Sequence, residues 1–223
     1  MKLNQYIDHT LLKADATAAQ IEKLCQEARE HEFFSVCVNS YYVKQASQLL
    51  AGSKVKVCTV VGFPLGASTM ETKRFEAMRA IVEGASEIDM VLNISAVKSN
   101  QWQYALDDMT SLAQVCHQQK AILKVIFENC LLTEAEKKMA CELAVKAQVD
   151  FVKTSTGFST GGATLEDVNL MRSIVGPNMG VKASGGIRDF ATAKAMIEAG
   201  ATRLGTSASV EIVKGEDAGK GSY

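Results

Sequence analysis

Three lysines interrupt short apolar runs of the chain: Lys124 in ILKVIF, Lys153 in FVKTSTG and Lys182 in GVKAS. Two aspartates do the same, Asp8 in YIDHT and Asp89 in EIDMVL. An ammonium group is costly to bury unless it is paired, so three in successive apolar runs need a reason. One reason is architectural: ion pairs with Asp8, Asp89 and Glu128 that fix the register of neighbouring strands. The other is chemical. Crowded ammonium groups repel and desolvation pushes the same way, so one lysine would titrate from about 10.4 down toward roughly 7 to 8. A neutral amine attacks a carbonyl, and the protonated imine that results withdraws electrons and stabilises a carbanion or enamine at the adjacent carbon. That is aldol chemistry without a metal. Perturbed charges crowd at functional sites, which favours the chemical reason.

The competing metal chemistry lacks ligands in sequence. His9, His31 and His117 form no HxH or HExxH spacing, and a structural or loop role is expected for each. Six scattered cysteines without a CxxC pair suggest neither a zinc ribbon nor a disulfide framework, but reduced thiols in the cytoplasm. No metal or other cofactor is expected. With a net charge of −1, the chain has no general attraction for nucleic acid or an anionic membrane, so a charged ligand must meet a local cluster. No stretch approaches the 18 apolar residues of a membrane helix, and the start MKLNQYIDHTLLKADA is not a secretory leader.

Positioning five buried charges requires a scaffold whose strands all aim at one place. Eight apolar runs read as strands: YIDHT, SVCV, KVCTVVGF, EIDMVL, ILKVIFE, DFVKTS, GVKAS and RLGTS. Helical segments alternate with them, with N-terminal caps at Thr17 (with Gln20), Thr133 (with Glu136), Thr164 (with Asp167) and, more loosely, Asp189. Apolar stripes lie at Ile21, Leu24, Cys25 and Ala28, and at Ala140, Leu143, Ala144 and Ala147. Asp8 to Cys37, Lys124 to Lys153 and Lys153 to Lys182 are each 29 residues apart, about one βα unit. No GxGxxG follows the first strand, so the alternation predicts a single-domain (β/α)8 TIM barrel over residues 1–214 with a flexible tail over 215–223. In that fold Asp8, Asp89, Lys124, Lys153 and Lys182 share one pocket.

An anion is expected beside them. ASGGIRD supplies Gly185 and Gly186, and LGTSASV supplies Gly205, Thr206 and Ser207, after the last two strands, where barrels often hold phosphate. Thr156 and Gly157 of TSTGFSTGG join the same anion.

Together, FVKTSTGF, VKASGGIRD, EIDMVLN, YIDHTLLK, VCVN and TVVGFPLGA resemble the deoxyribose-phosphate aldolases over nearly the whole chain. The resemblance implies a metal-free class I aldolase that reversibly cleaves 2-deoxy-D-ribose 5-phosphate to acetaldehyde and D-glyceraldehyde 3-phosphate. It implies Lys153 as the Schiff-base lysine, Lys182 as the neighbour that depresses its pKa, and Asp89 as the acid/base partner. It also implies active-site positions for Lys124, Asp8 and Cys37, although a cysteine in a buried strand also reads as a small hydrophobe. LNISAVKSN and IFENCLLT depart from the family wording at Ser95 and around residues 127–129, and Phe158 stands where some relatives carry a phosphate-facing lysine.

Two readings stay open for Tyr223, which ends the Gly-rich tail KGEDAGKGSY: a proton donor folded over the mouth, or a frayed terminus. Competing functions are another Schiff-base barrel aldolase, a phosphosugar isomerase or synthase using Asp89 or Glu128 as base, and a non-catalytic phosphometabolite binder. The expected partners are phosphorylated sugar and aldehydes, with a homodimer as the default assembly.

Overall fold

β-branched residues crowd the eight apolar runs, and each becomes a strand of one sheet. A computed structural model describes residues 2–215. Its strands are β1 (Ile7–Leu11), β2 (Ser35–Val38), β3 (Lys56–Val61), β4 (Glu87–Val91), β5 (Ile122–Ile126), β6 (Phe151–Lys153), β7 (Gly180–Ser184) and β8 (Arg203–Thr206). All pair in parallel and in chain order, and β8 closes on β1. Around them lie α1 (Ala18–Glu30), α2 (Val43–Leu49), α3 (Met70–Val82), α4 (Ile94–Lys98), α5 (Trp102–Gln118), α6 (Glu134–Lys146), α7 (Leu165–Val175), α8 (Phe190–Glu198) and α9 (Ser209–Lys214). This is the expected (β/α)8 TIM barrel; Tyr223 and most of the expected tail lie outside the described residues.

The caps form as the sequence predicts. Thr17 with Gln20 and Thr133 with Glu136 make complete capping boxes, while Thr164 and Asp189 accept the backbone N–H of Asp167 and Thr192. Two caps were hidden in the sequence, Thr69 for α3 and Asn93 for α4. The stripe of α1 is buried as expected; on α6, Cys141 takes the inward place expected of Leu143, which is half-buried.

Alternation along each strand divides the molecule chemically. On β2, Val36 and Val38 face outward into the large core beneath the helices, with Ile21 and Leu24 of α1. Their neighbours Ser35 and Cys37 face the barrel axis, where Ser35 donates to Asp8 and Cys37 joins a small apolar cluster with Leu12, Cys58, Val60 and Phe63. The outer core is thus largely apolar, and the barrel interior holds most of the buried charges.

The equal 29-residue spacings do not put the three lysines in one row. Lys153 pairs directly with Lys182, but Lys124 pairs with Phe151 and, on its other side, with Asp89. The barrel's stagger moves Lys124 two residues down the axis relative to Lys153. Their ends nonetheless meet, because long side chains can span that offset to a common carboxylate.

Candidate active site

Asp89 is the centre of the charged interior. Its Oδ2 accepts hydrogen bonds from Lys153 at 2.9 Å and Lys182 at 2.8 Å, and its Oδ1 accepts from Lys124 at 2.7 Å and the Cys58 thiol at 3.1 Å. Asp8 takes the other side of Lys182 at 2.5 Å and also accepts from Ser35 at 2.7 Å and Arg203 at 2.8 Å. Glu87 closes the set by pairing with Lys124 at 2.6 Å and Arg203 at 2.9 Å. The Arg203 guanidinium is stacked 3.5 Å from the Phe34 ring centroid, which seals the lower end of the network.

These groups are buried, so their charges are decided by their neighbours. Burial alone would push Asp89 up, but Lys124, Lys153 and Lys182 overcome it and hold the carboxyl well below its ordinary range. Asp8 behaves likewise: burial is outweighed by Arg203, Lys182 and Lys124. Burial opposes charge on Lys124 and Lys182 too, yet carboxylates win, Asp89, Glu87 and Asp8 for Lys124 and Asp8 and Asp89 for Lys182. Both are therefore held above the ordinary lysine range. Interleaved carboxylates thus convert the crowd of ammonium groups into a network of alternating sign. Glu128 is no part of it. It sits in the left-handed region at φ 55°, just beyond β5, and accepts from the backbone N–H and hydroxyl of Thr156. The register-fixing partner expected of Glu128 is Glu87.

Cys37, Cys58 and Asp89 bring potential metal-ligand atoms within 4.8 Å of one another, as do Asp8, Cys58 and Glu87. Ammonium groups already occupy the acceptor directions of these carboxylates, so positive charge fills the places a cation would need.

Beside this network the loops after β6, β7 and β8 meet. Gly185 and Gly186 follow β7 as consecutive left-handed residues, at φ 85° and 80°, and a Cβ at Gly186 would meet nothing within 4 Å. Gly162 packs so closely on Gly185 that a Cβ would lie 2.3 Å from the Gly185 carbonyl oxygen, which ties the two loops together. Ser207 is exposed, whereas the Thr206 hydroxyl is buried, donating to the Ile187 carbonyl and accepting from the Ala208 N–H. Gly205 lies within β8 opposite Asp8, and a Cβ there would be 3.0 Å from Lys182 Cε. Its missing side chain admits Lys182, a requirement distinct from the anion-facing one expected. Thr156 is committed to Glu128, and Gly157 adopts φ 87° in the following turn. Phe158 stands edge-on to Phe63, ring centroids 5.2 Å apart. His9 faces away from the interior, bridging Ser209 and Glu27 at 2.9 Å each, the structural role expected.

The sequence profile described as DeoC/LacD family aldolase matches residues 2–218. The chain belongs to the DeoC/LacD family of aldolases. A deoxyribose-phosphate aldolase of Brevibacillus brevis is 63% identical over 215 residues, 96% of each chain. Among solved structures, the aldolase QR15 superposes with a TM-score of 0.90 at 43% identity, covering 95% of this chain and 94% of its own. The deoxyribose phosphate aldolase of Aeropyrum pernix, described as a unique tetramer, does so with a TM-score of 0.90 at 33% identity, covering 95% and 89%. The protein is accordingly an aldolase, a lyase.

Reading the chain missed several members of this DeoC/LacD interior. Glu87 and Arg203 open their strands, where a charge ordinarily faces water, and Cys58 and Ser35 look like strand filler. Thr154, Ser155 and Ser184, which stitch β6 to β7 directly above the lysines, were also passed over. Their signal was present in the hydroxyls that follow VK, Thr154 and Ser155 in VKTSTG and Ser184 in VKASGG.

Proposed function

We propose that the protein is a deoxyribose-phosphate aldolase, which cleaves 2-deoxy-D-ribose 5-phosphate reversibly to acetaldehyde and D-glyceraldehyde 3-phosphate, with Lys153 as the imine-forming residue. The reading is carried by one observation: Lys153 and Lys182 share Asp89 Oδ2. Lys153 as a neutral amine adds to C1 of the open-chain sugar, and loss of water leaves a protonated imine. A base removes the proton of the C3 hydroxyl, the C2–C3 bond breaks, and its electron pair enters the enamine as D-glyceraldehyde 3-phosphate leaves. Protonation at C2 and hydrolysis then release acetaldehyde and regenerate the amine.

Asp89 is the proton conduit in this scheme, because one oxygen touches both nitrogens between which protons must pass. Lys124, with Lys153 and Lys182, keeps Asp89 ionised against burial, and Lys182 places positive charge beside the imine. Lys124 and Asp8 hold Asp89 and Lys182 in place, and Cys37 lines the apolar wall. Gly185, Gly186 and Ser207 receive the phosphate, with Thr156 and Gly157 shaping the adjoining turn and Gly205 and Thr206 supporting it from β8. Against an isomerase or synthase that would use Glu128 as base, Glu128 is bound to the backbone N–H and hydroxyl of Thr156 and makes no contact with the three lysines.

The free thiols support a reducing, cytoplasmic setting, and among the described residues no helix is long and apolar enough to cross a membrane. Phe75, Met78 and Val82 form an exposed apolar stripe on α3 that supports a homodimer. Incubation with acetaldehyde and borohydride tests the chemistry: an ethyl group should be fixed to Lys153, and Lys153→Ala should abolish both trapping and turnover. Trapping at Lys124 or Lys182 alone would sink the assignment.

A further inference from the structure

Cys37 and Cys58 are paired residue for residue on the neighbouring parallel strands β2 and β3. Adjacent strands run about 4.8 Å apart, inside the roughly 4.4–6.8 Å Cα separation that a disulfide spans. Side chains at paired positions project to the same face, here the barrel interior, and the two sulfurs and an Asp89 oxygen lie within 4.8 Å of one another. The remaining cysteines do not share this arrangement. Cys25, Cys116 and Cys141 belong to the outer core, and Cys130 is exposed beyond β5.

The two thiols are also unlike each other. The neighbouring Cys58 draws Cys37 below the ordinary thiol range against the effect of burial, helped by the charges of Lys182 and Lys153. Cys58 is pushed well above that range by burial and by the proximity of Cys37 and Asp89, and its thiol donates to Asp89 Oδ1. Cys37 is thus the more acidic of the two thiols, and Cys58 keeps the proton that it donates to Asp89. Both lie in the apolar wall of Leu12, Val60 and Phe63 beside Asp89. Cys37 and Lys153 are buried to nearly the same degree in one barrel interior, and hydrogen peroxide has fewer heavy atoms than the acetaldehyde proposed to reach Lys153.

We propose that Cys37 and Cys58 form a peroxide-modifiable pair, which closes into a disulfide across the β2–β3 rung and detaches Cys58 from Asp89. In the first step the Cys37 thiolate attacks a peroxide oxygen; an S–O bond forms, the O–O bond breaks, and the departing hydroxide takes a proton and leaves as water. In the second, Cys58 sulfur attacks the Cys37 sulfenic sulfur; the S–S bond forms, the S–O bond breaks, and a second water leaves with the Cys58 proton. Two thiols are oxidised and one peroxide is reduced to two waters. The product removes a donor from Asp89 Oδ1 while leaving the lysines on it, so the proton conduit is disturbed without loss of the imine residue.

The test uses Cys130→Ser protein, in which the exposed thiol is absent, treated with hydrogen peroxide and mapped without reduction. Expected is a peptide cross-linked between Cys37 and Cys58, a whole-protein mass lower by two hydrogens, and turnover falling about tenfold as the cross-link accumulates, the effect of one lost hydrogen bond at a proton-transfer group. Dithiothreitol should reverse both. In Cys58→Ala added to that background, the Cys37 sulfenic acid should persist and be captured by dimedone, each variant being compared with its own untreated activity. Oxidation of Cys37 to sulfinic acid with Cys58 present and no cross-link would overturn the proposal, as would full cross-linking with undiminished turnover. The cross-link is read by mass and stands apart from the aldolase reading, on which only the turnover arm rests.

Discussion

Lys182 occupies the space that a side chain at Gly205 would need: a Cβ there would stand 3.0 Å from Lys182 Cε and 2.9 Å from Ser184 Cβ. The glycine is therefore a packing requirement of the lysine that pairs with both Asp8 and Asp89. Gly205→Ala should push Lys182 off those carboxylates by a few tenths of an ångström or more. Turnover should fall about 10²-fold, the scale of small misplacements at a reacting centre, with the Michaelis constant little changed. Overpacking should also cost about 1–3 kcal/mol of stability. Steady-state kinetics and urea unfolding measure the two separately, and unchanged turnover would mean that the position of Lys182 is not critical.

Acid should undo the interior. Asp8 and Asp89 are both held below the ordinary carboxylate range in the folded chain, so over that range the unfolded chain binds more protons. Their contribution is fully present above the unfolded carboxylate pKa of about 4 and is lost as pH falls below it toward the folded values. Unfolding free energy measured from pH 7 down to pH 3 should be flat at first and then drop steeply below about pH 4. A flat profile throughout would show that the network does not favour the ionised carboxylates.

How much of this was legible depended on contrast. Asp8, Asp89, Lys124, Lys153 and Lys182 stood out because each interrupts an apolar run, and the structure brings all five together. Glu87 and Arg203 lacked that contrast, since a charge at the start of a strand is ordinary. Register was hidden for a different reason: equal spacing counts residues along the chain, whereas barrel stagger sets height along the axis, and so Lys124 meets Asp89 in register and not Lys153. Glu128 ends the apolar run ILKVIFE, but β5 stops at Ile126 and the chain turns through a left-handed residue that no apolar pattern reveals. Lys73 was masked by its neighbours, because TKRFEAMR offers several charges and periodicity does not say that this one points inward.

That Lys73 forms a second buried ion pair, with Asp108, between α3 and α5 at 2.5 Å, and also donates to the Val91 carbonyl at 2.9 Å. Burial lowers the lysine and raises the aspartate, so each partner is pulled toward neutrality despite the other. One Asp108 oxygen also has no hydrogen-bond partner. Removing either partner alone, as in Lys73→Met or Asp108→Leu, should cost about 3–5 kcal/mol by stranding a buried charge, whereas the double variant should be neutral or more stable. A double-mutant cycle by denaturant unfolding checks this, and additive losses would mean that the two groups do not act as a pair.

The proposed phosphate site can be separated from backbone strain at Gly186. A side chain placed there meets nothing within 4 Å and projects into open space, but φ of 80° is unfavourable to most residues. Asparagine and aspartate tolerate that region and differ by little except charge, so comparing Gly186→Asp with Gly186→Asn cancels strain and bulk. Near a bound phosphate the extra negative charge should raise the Michaelis constant for 2-deoxyribose 5-phosphate about tenfold relative to the asparagine variant, since like charges within about 10 Å repel by 1–2 kcal/mol in a partly exposed site. Unphosphorylated 2-deoxyribose carries no such charge, and the two variants should bind it alike. Added salt should shrink the first difference and leave the second untouched. If the Asp-to-Asn ratio is the same for both sugars, the phosphate does not sit on this loop.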